Sequence, residues 1–145
     1  MKFLLSILIL LSFAKKPEIG EVRKFYPTAI DSESNANDFA NLLSSVTKED
    51  YKTLVAYKGA SIALLARYKK SIGEKSKTFS EGANWIEFAV ASDPNNIEIR
   101  MIRLSVQEKS PKILRYYSNK KEDKEYLLNH YKEQSGSLKE FIKNF

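Results

Sequence analysis

Apolar residues recur along this chain mostly every three or four positions, which is the spacing of a helix with one buried face. The pattern predicts helices over 35–46, 48–70, 78–92 and from 95 to the proline at 111, followed by two more over 121–134 and 137–145. No segment alternates apolar and polar residues for more than a few positions, as a half-buried strand would. The sequence therefore predicts an all-α domain over 34–145 with about five to six helices.

Residues that can cap free backbone N–H groups mark the helix starts. Three pairs have the spacing of a capping box: Thr47 with Asp50, Thr78 with Glu81, and Ser137 with Glu140. Gly73 stands in a lysine-rich stretch and is predicted to lie in a loop. Residues 15–33 contain two prolines and a glycine, so we expect an irregular N-terminal arm there.

The second predicted helix carries a stripe of small residues beside its apolar stripe: Ala56, Gly59, Ala60 and Ala63. A glycine inside a helix costs about 1 kcal/mol relative to alanine. That cost is tolerable where another backbone comes close, so this helix is expected to pack on two sides.

The first fourteen residues have the order of a secretory signal peptide. Lys2 precedes an apolar run over 3–13, and Ser12 and Ala14 are the small residues of a cleavage site. As a helix the run would span about 17 Å, well short of the roughly 30 Å of a bilayer core. We therefore predict cleavage after Ala14 and export from a bacterial cytoplasm, so that the protein is periplasmic or secreted. A membrane anchor is the less favoured alternative.

Composition narrows the classes of partner. The chain has no cysteine, which rules out disulfide-linked partners, and a net charge of +6. Nineteen of its 24 basic residues are lysines, interspersed with acidic residues in nearly every segment. Proteins that read nucleic acids use arginine forks and cluster their positive charge. We therefore expect no nucleic-acid partner and at most a weak attraction to an anionic membrane or polysaccharide surface.

The third predicted helix resembles the second helix of a tetratricopeptide repeat. Gly82, Ile86, Ala89 and Pro94 reproduce the family's spacing of a small residue, a bulky residue, a small residue and proline. Pro94 belongs to an Asp-Pro-Asn-Asn turn, which resembles the turn that this family uses between repeats. The resemblance covers about residues 50–96, which is one repeat. It implies a stack of antiparallel helical hairpins that binds proteins or peptides. The whole chain is also similar to small exported bacterial proteins of unknown function.

Few residues are candidates for catalysis or metal binding. With no cysteine and a single histidine, His130, a metal site would need nearly all its ligands from carboxylates, and we expect neither a metal nor a cofactor. His130 lies among polar residues and is expected to be exposed or half-buried. A carboxylate pair of the kind used by glycosidases could come from Glu81, Glu87 and Glu98, although helix capping and exposure explain these residues more simply.

Arg100, Arg103 and Gln107 form the best polar constellation, because their spacing puts them on one face of the fourth helix. Two interpretations remain: a structural ion pair with Glu81 or Glu87, or an anion-binding surface that uses the arginine forks. We expect Arg100 to be structural and Arg103 to lie nearer the surface. The sequence thus favours an exported, non-enzymatic domain that binds a protein or peptide. The alternative is a small secreted hydrolase that acts on cell-wall or polysaccharide substrates.

Overall fold

The computed structural model describes residues 14–144, and every regular element in that part of the chain is helical, which confirms the all-α prediction. Residues 14–144 form seven α-helices rather than five to six: α1 (Ile19–Phe25), α2 (Glu33–Leu42), α3 (Lys52–Leu65), α4 (Ile72–Ser92), α5 (Ile97–Lys109), α6 (Lys120–His130) and α7 (Gly136–Lys143). Short 3-10 turns follow four of them, at Tyr26–Thr28, Ala66–Tyr68, Lys112–Leu114 and Tyr131–Glu133.

The additional helix is α1, in the segment that we expected to be irregular. Val22 on this helix and Ala29 just after it are fully or almost fully buried. Phe25 and Tyr26 contact the ring of Phe39 on α2, with centroid distances of 6.1 and 5.7 Å. The prediction of an arm was therefore wrong. The two prolines lie outside this short helix and the glycine occupies its first turn. Burial of the apolar face stabilises the helix where local propensity does not.

The central element is α3, which packs against α2, α4 and α5. A side chain at Gly59 would place its Cβ 2.7 Å from the Gly82 carbonyl oxygen and 2.8 Å from the backbone nitrogen of Ile86. Gly82 in turn faces Ala63, so α3 and α4 run antiparallel. The small-residue stripe thus lies where another backbone approaches, as predicted.

Two helices begin at other residues than predicted, because the predicted capping residues do not cap them. Asp50 accepts hydrogen bonds from the backbone and hydroxyl of Thr47, but these bonds stabilise a turn, and α3 begins only at Lys52. The capping box of α4 is Ser71 with Glu74, so the helix begins at Ile72. It therefore includes Gly73 and the lysine-rich stretch expected to be a loop, and Thr78 is an interior residue.

The C-terminal third follows the predicted order with shifted boundaries. Asn96 caps α5 by accepting from the backbone N–H of Ile99 at 3.1 Å. The last helix begins at Gly136, one residue before the predicted cap, and Gly136 itself has a φ of +60°. From α7, Ile142 is buried and Leu138 and Phe141 are half-buried against the core.

The predicted signal peptide lies outside the described residues, apart from Ala14, which is exposed. Within residues 14–144, no helix has both the length and the apolar character needed to cross a bilayer.

Candidate functional site

Arg103 on α5 is the centre of a buried ion-pair network. Its Nε and Nη2 donate to the two carboxylate oxygens of Asp123 on α6 at 2.7 and 2.8 Å. Its Nη1 donates to Glu87 on α4 at 3.1 Å, and the Tyr116 hydroxyl donates to the other oxygen of Glu87 at 2.7 Å. Burial alone would lower the pKa of Arg103, but the hydrogen bonds and negative charge of Asp123 outweigh it and raise that pKa. The guanidinium therefore stays charged and joins three helices.

Arg100 extends the same network toward the surface. Its Nη1 contacts Asp123 at 3.1 Å and Glu122 at 2.9 Å, and its Nε donates to the carbonyl oxygen of Pro94 at 2.7 Å. The guanidinium also lies over the ring of Tyr126, 4.4 Å from its centroid. Arg100 thus ties the turn before α5 to the first turn of α6.

These contacts favour the structural interpretation of both arginines over an anion-binding surface. The expectation that Arg103 lies nearer the surface was wrong, since its side chain is 4 % exposed and that of Arg100 is 11 %. Glu87 is one of the two partners that we anticipated, whereas Asp123 was not foreseen. Gln107 is buried and donates to Asn119 at 3.2 Å, while its Oε1 has no hydrogen-bond partner in the described structure.

A second network ties α1 into the fold. The Nε and Nη2 of Arg23 donate to the two oxygens of Glu98 at 2.8 and 2.7 Å. The Tyr57 hydroxyl on α3 donates to the same carboxylate at 2.7 Å. Glu98 is 2 % exposed. The sequence indicated only a carboxylate at the start of a helix, whereas the structure makes Glu98 a buried partner of Arg23 and Tyr57.

The other candidate residues are dispersed. Glu87 and Glu98 are engaged by different arginines, and neither pairs with Glu81 in the described residues. His130 is half-exposed, as expected. Its Nδ1 lies 3.0 Å from Oε2 of Glu133, and its ring packs against the ring of Tyr126. Among residues 14–144, no three histidine, cysteine or carboxylate side chains are grouped so that they could hold a metal ion.

A cleft of about 860 Å³ opens between α3, α4, α5 and α7, and this volume lies within the roughly 300–1,000 Å³ of small-molecule sites. Small residues of α3 and the following turn leave the space open: Ala60, Ala63 and Ala66. Bulkier apolar residues complete the wall: Leu64, Phe79, Val106, Leu114 and Phe141. The cleft is therefore an apolar slot between helices.

The uncharged polar residues of the cleft lining are Ser110, Asn144 and a hydrogen-bonded pair of hydroxyl groups from Tyr26 and Ser105. The Ser105 hydroxyl donates to the carbonyl oxygen of Ile102 at 2.8 Å, so the Tyr26 hydroxyl is the donor in its short contact with Ser105. Burial raises the pKa of Tyr26 to about 12. This pair is accordingly neutral over the physiological pH range.

The charges of the cleft lie at its rim. Arg67, Lys75 and Lys109 border it together with one acidic residue, Glu108. All four are exposed. None of the three cations forms an ion pair with a carboxylate of residues 14–144, so an anion at the rim would not have to displace an internal partner.

Sequence reasoning missed the cleft. Its signals were present as the small residues of α3 and the lysine-rich stretch before Phe79, but they were interpreted as helix packing and as a loop. Only the positions of α5 and α7 show that part of the alanine stripe faces an open space.

Compared with known proteins, the chain matches no family model, no curated protein and no solved structure.

Proposed function

We propose that this protein is a non-enzymatic binding domain whose cleft takes an amphiphile with an apolar chain and an anionic group, such as a long-chain carboxylic acid. The observation that carries the proposal is the division of the cleft into a neutral, apolar interior and a cationic rim. An acyl chain would replace water along Phe79, Val106 and Leu114, at roughly 25 cal/mol for each Å² of apolar surface removed from water. Its carboxylate would reach the rim cations.

The scarcity of hydrogen-bonding groups inside the cleft supports an acyl chain over an extended peptide. The walls are mainly helices and short 3-10 turns, whose backbone groups already bond largely within each element. An extended peptide would bury backbone N–H and C=O groups with no partner, at a cost of about 1–3 kcal/mol for each group. An acyl chain has no such groups and avoids this cost.

An acidic amphipathic helix of a partner protein is the second candidate, and it retains the sequence-based expectation of a protein or peptide partner. The observation in its favour is α7, an eight-residue helix whose Phe141 already lines the cleft. A helix satisfies its own backbone groups, so it could occupy such a groove without the cost that an extended peptide would incur.

The state of the carboxylates supports a role in binding rather than catalysis. Asp123 and Glu98 each present both oxygens to an arginine fork. A glycosidase needs one carboxyl group as a proton donor and another as a nucleophile or base. Carboxylates held in bidentate pairs are poorly suited to either task, because proton transfer or attack would have to break the pair.

Export and a tetratricopeptide-like hairpin remain part of the proposal. The antiparallel contact of α3 with α4, closed by Gly59 and Gly82, supports one such hairpin. Cleavage after Ala14 would leave Lys15 as the first residue. N-terminal sequencing of protein from its native host tests the export proposal, and retention of Met1 would contradict it.

Displacement of a fluorescent long-chain fatty acid tests the cleft. We expect the fatty acid to bind more tightly than the alcohol of the same chain length. Lys75→Glu and Lys109→Glu should each weaken its binding about three- to tenfold, because they reverse an exposed rim charge. Lys121→Glu is the matched control, since Lys121 is 90 % exposed on α6, outside the cleft lining, and it should bind like the parent.

A second variant separates the cleft from nonspecific surface binding. Leu114→Trp should fill part of the slot and lower the affinity for the acid and the alcohol alike. The proposal fails if the acid does not bind, or if Leu114→Trp binds both probes as tightly as the parent does. Tight binding of an acidic amphipathic peptide together with no binding of fatty acid would favour the second candidate.

A further inference from the structure

Two connecting segments that border the mouth of the cleft combine dense positive charge with exposed apolar side chains. The first comprises residues 66–77, between α3 and the second turn of α4, and has five basic residues and one acidic residue. The second comprises residues 108–115, from the last two residues of α5 onward, and has three basic residues and one acidic residue. We call these segments together the mouth surface. In most other segments of the chain, lysines are interspersed with acidic residues.

Each segment extends an apolar path from inside the cleft to the solvent. On α4, Ile72, Lys75 and Phe79 follow one helix face at steps of three and four. Phe79 is 6 % exposed and Ile72 is 84 % exposed, with Lys75 at the rim between them. In the second segment, Leu114 lines the cleft and its neighbour Ile113 is 84 % exposed.

The two segments belong to one surface. Phe79 on α4 contacts the ring of Tyr116, just after the second segment, with a centroid distance of 5.8 Å. Residues of both segments line the same cleft, including Arg67 and Lys75 from the first and Pro111 and Leu114 from the second. Ile72 and Ile113 therefore each belong to a segment that lines the same cleft, and basic residues accompany both.

We propose that the mouth surface docks on a lipid bilayer containing anionic headgroups, with Ile72 and Ile113 inserted at the boundary between headgroups and acyl chains. Anionic lipids attract a juxtaposed Lys or Arg at close range, with an effect of about fivefold on binding for each residue. Apolar side chains amid such charge add burial in the interfacial layer. The inference rests on the proposed function in one respect, since it makes the membrane the source or destination of the amphiphile.

The absence of cysteine permits a local test in the full chain. Single variants Ile72→Cys, Ile113→Cys and Leu128→Cys would each carry an environment-sensitive fluorophore. Leu128 is a matched control, because it is an exposed leucine (70 %) on α6, where basic and acidic residues alternate. Vesicles of phosphatidylcholine with about 30 % phosphatidylglycerol provide the anionic surface, and vesicles of phosphatidylcholine alone provide the neutral one.

We expect a blue shift at positions 72 and 113 on the anionic vesicles, and a much smaller shift at 128. The shifts should disappear on neutral vesicles and weaken strongly at about 0.5 M salt, where surface charges are screened. No shift at 72 and 113 would overturn the proposal. An equal shift at 128 would also overturn it, since it would show unspecific adsorption, including adsorption through the N-terminal apolar run.

A charge variant separates docking from ligand binding. Lys69→Gln, Lys70→Gln, Lys112→Gln and Arg115→Asn remove four charges that do not line the cleft, and Asn suits the φ of 52° at position 115. This variant should lower anionic-vesicle affinity about 100-fold or more, while fatty-acid binding in solution stays unchanged. A control with Lys24, Lys121, Lys124 and Lys132 changed to Gln has the same net charge and should keep most of its vesicle affinity. Equal losses in both variants would overturn a localised docking surface, whereas loss of fatty-acid binding alone would count against the cleft proposal.

Discussion

Replacement of Arg103 by alanine tests whether the network on α5 is structural. The substitution removes both hydrogen bonds to Asp123, whose side chain is 0 % exposed, and the bond to Glu87. Breaking a buried ion pair on one side costs about 3–5 kcal/mol, because the remaining charge stays buried and unpaired. Asp123 keeps Arg100 at 3.1 Å, and Glu87 is 43 % exposed and can turn to water. We therefore expect the lower end, about 3 kcal/mol.

Urea unfolding followed by circular dichroism and by the fluorescence of Trp85, the one tryptophan of the chain, measures this loss. For a domain of this size, about 3 kcal/mol corresponds to a fall in melting temperature on the order of 10 °C. Arg100→Ala should cost only about 1 kcal/mol, because Asp123 keeps its bidentate bond to Arg103.

The double variant Arg103→Met with Asp123→Leu is the decisive control. It removes both buried charges and replaces them with apolar side chains of similar volume, so its stability should return to within about 1 kcal/mol of the parent. The reasoning is refuted if Arg103→Ala unfolds within about 0.5 kcal/mol of the parent, or if the double variant is as unstable as the single one.

Three further predictions concern stability. Gly59→Ala should destabilise the protein by about 1–3 kcal/mol, because its Cβ would meet the backbone of α4. The control Gly73→Ala places its Cβ where no atom lies within 4 Å, so it should stabilise the protein by up to about 1 kcal/mol. Chemical denaturation that shifts the free energy of unfolding in the same direction for both variants would contradict this prediction. The raised pKa of Tyr26, about 12, means that above about pH 10 the unfolded chain loses a proton that the native chain keeps. The contribution of Tyr26 to the free energy of unfolding should therefore be complete below pH 10 and decline by about 2–3 kcal/mol between pH 10 and pH 12. When the free energy of unfolding is measured as a function of pH, Tyr26→Phe should show a shallower decline over the same range. Arg23→Ala should cost about 3 kcal/mol in urea denaturation by leaving Glu98 unpaired, and a cost near zero would show that α1 is not anchored through this pair.

The sequence by itself determined the features that depend on neighbours a few positions away. The recurrence of apolar residues every three or four positions indicated the class and six of the helices, because that spacing follows from the turn of a single helix. The small residues around Gly59 indicated a close backbone contact, because an interior glycine is costly without one. Local boundaries were less secure, since Thr47 with Asp50 and Ser71 with Glu74 have the same spacing and only the second pair caps a helix.

Only the tertiary structure decided which distant residues meet. Arg103 and Asp123 are twenty positions apart and Arg23 and Glu98 seventy-five, and no periodicity of a single helix links such positions. The short helix α1 owes its stability to burial of Val22 and to the pair with Glu98, so its own sequence offers little sign of it. The cleft is the clearest case. An alanine on α3 is compatible with a tight helix contact and with an open space, and the placement of α4, α5 and α7 determines which of the two it becomes.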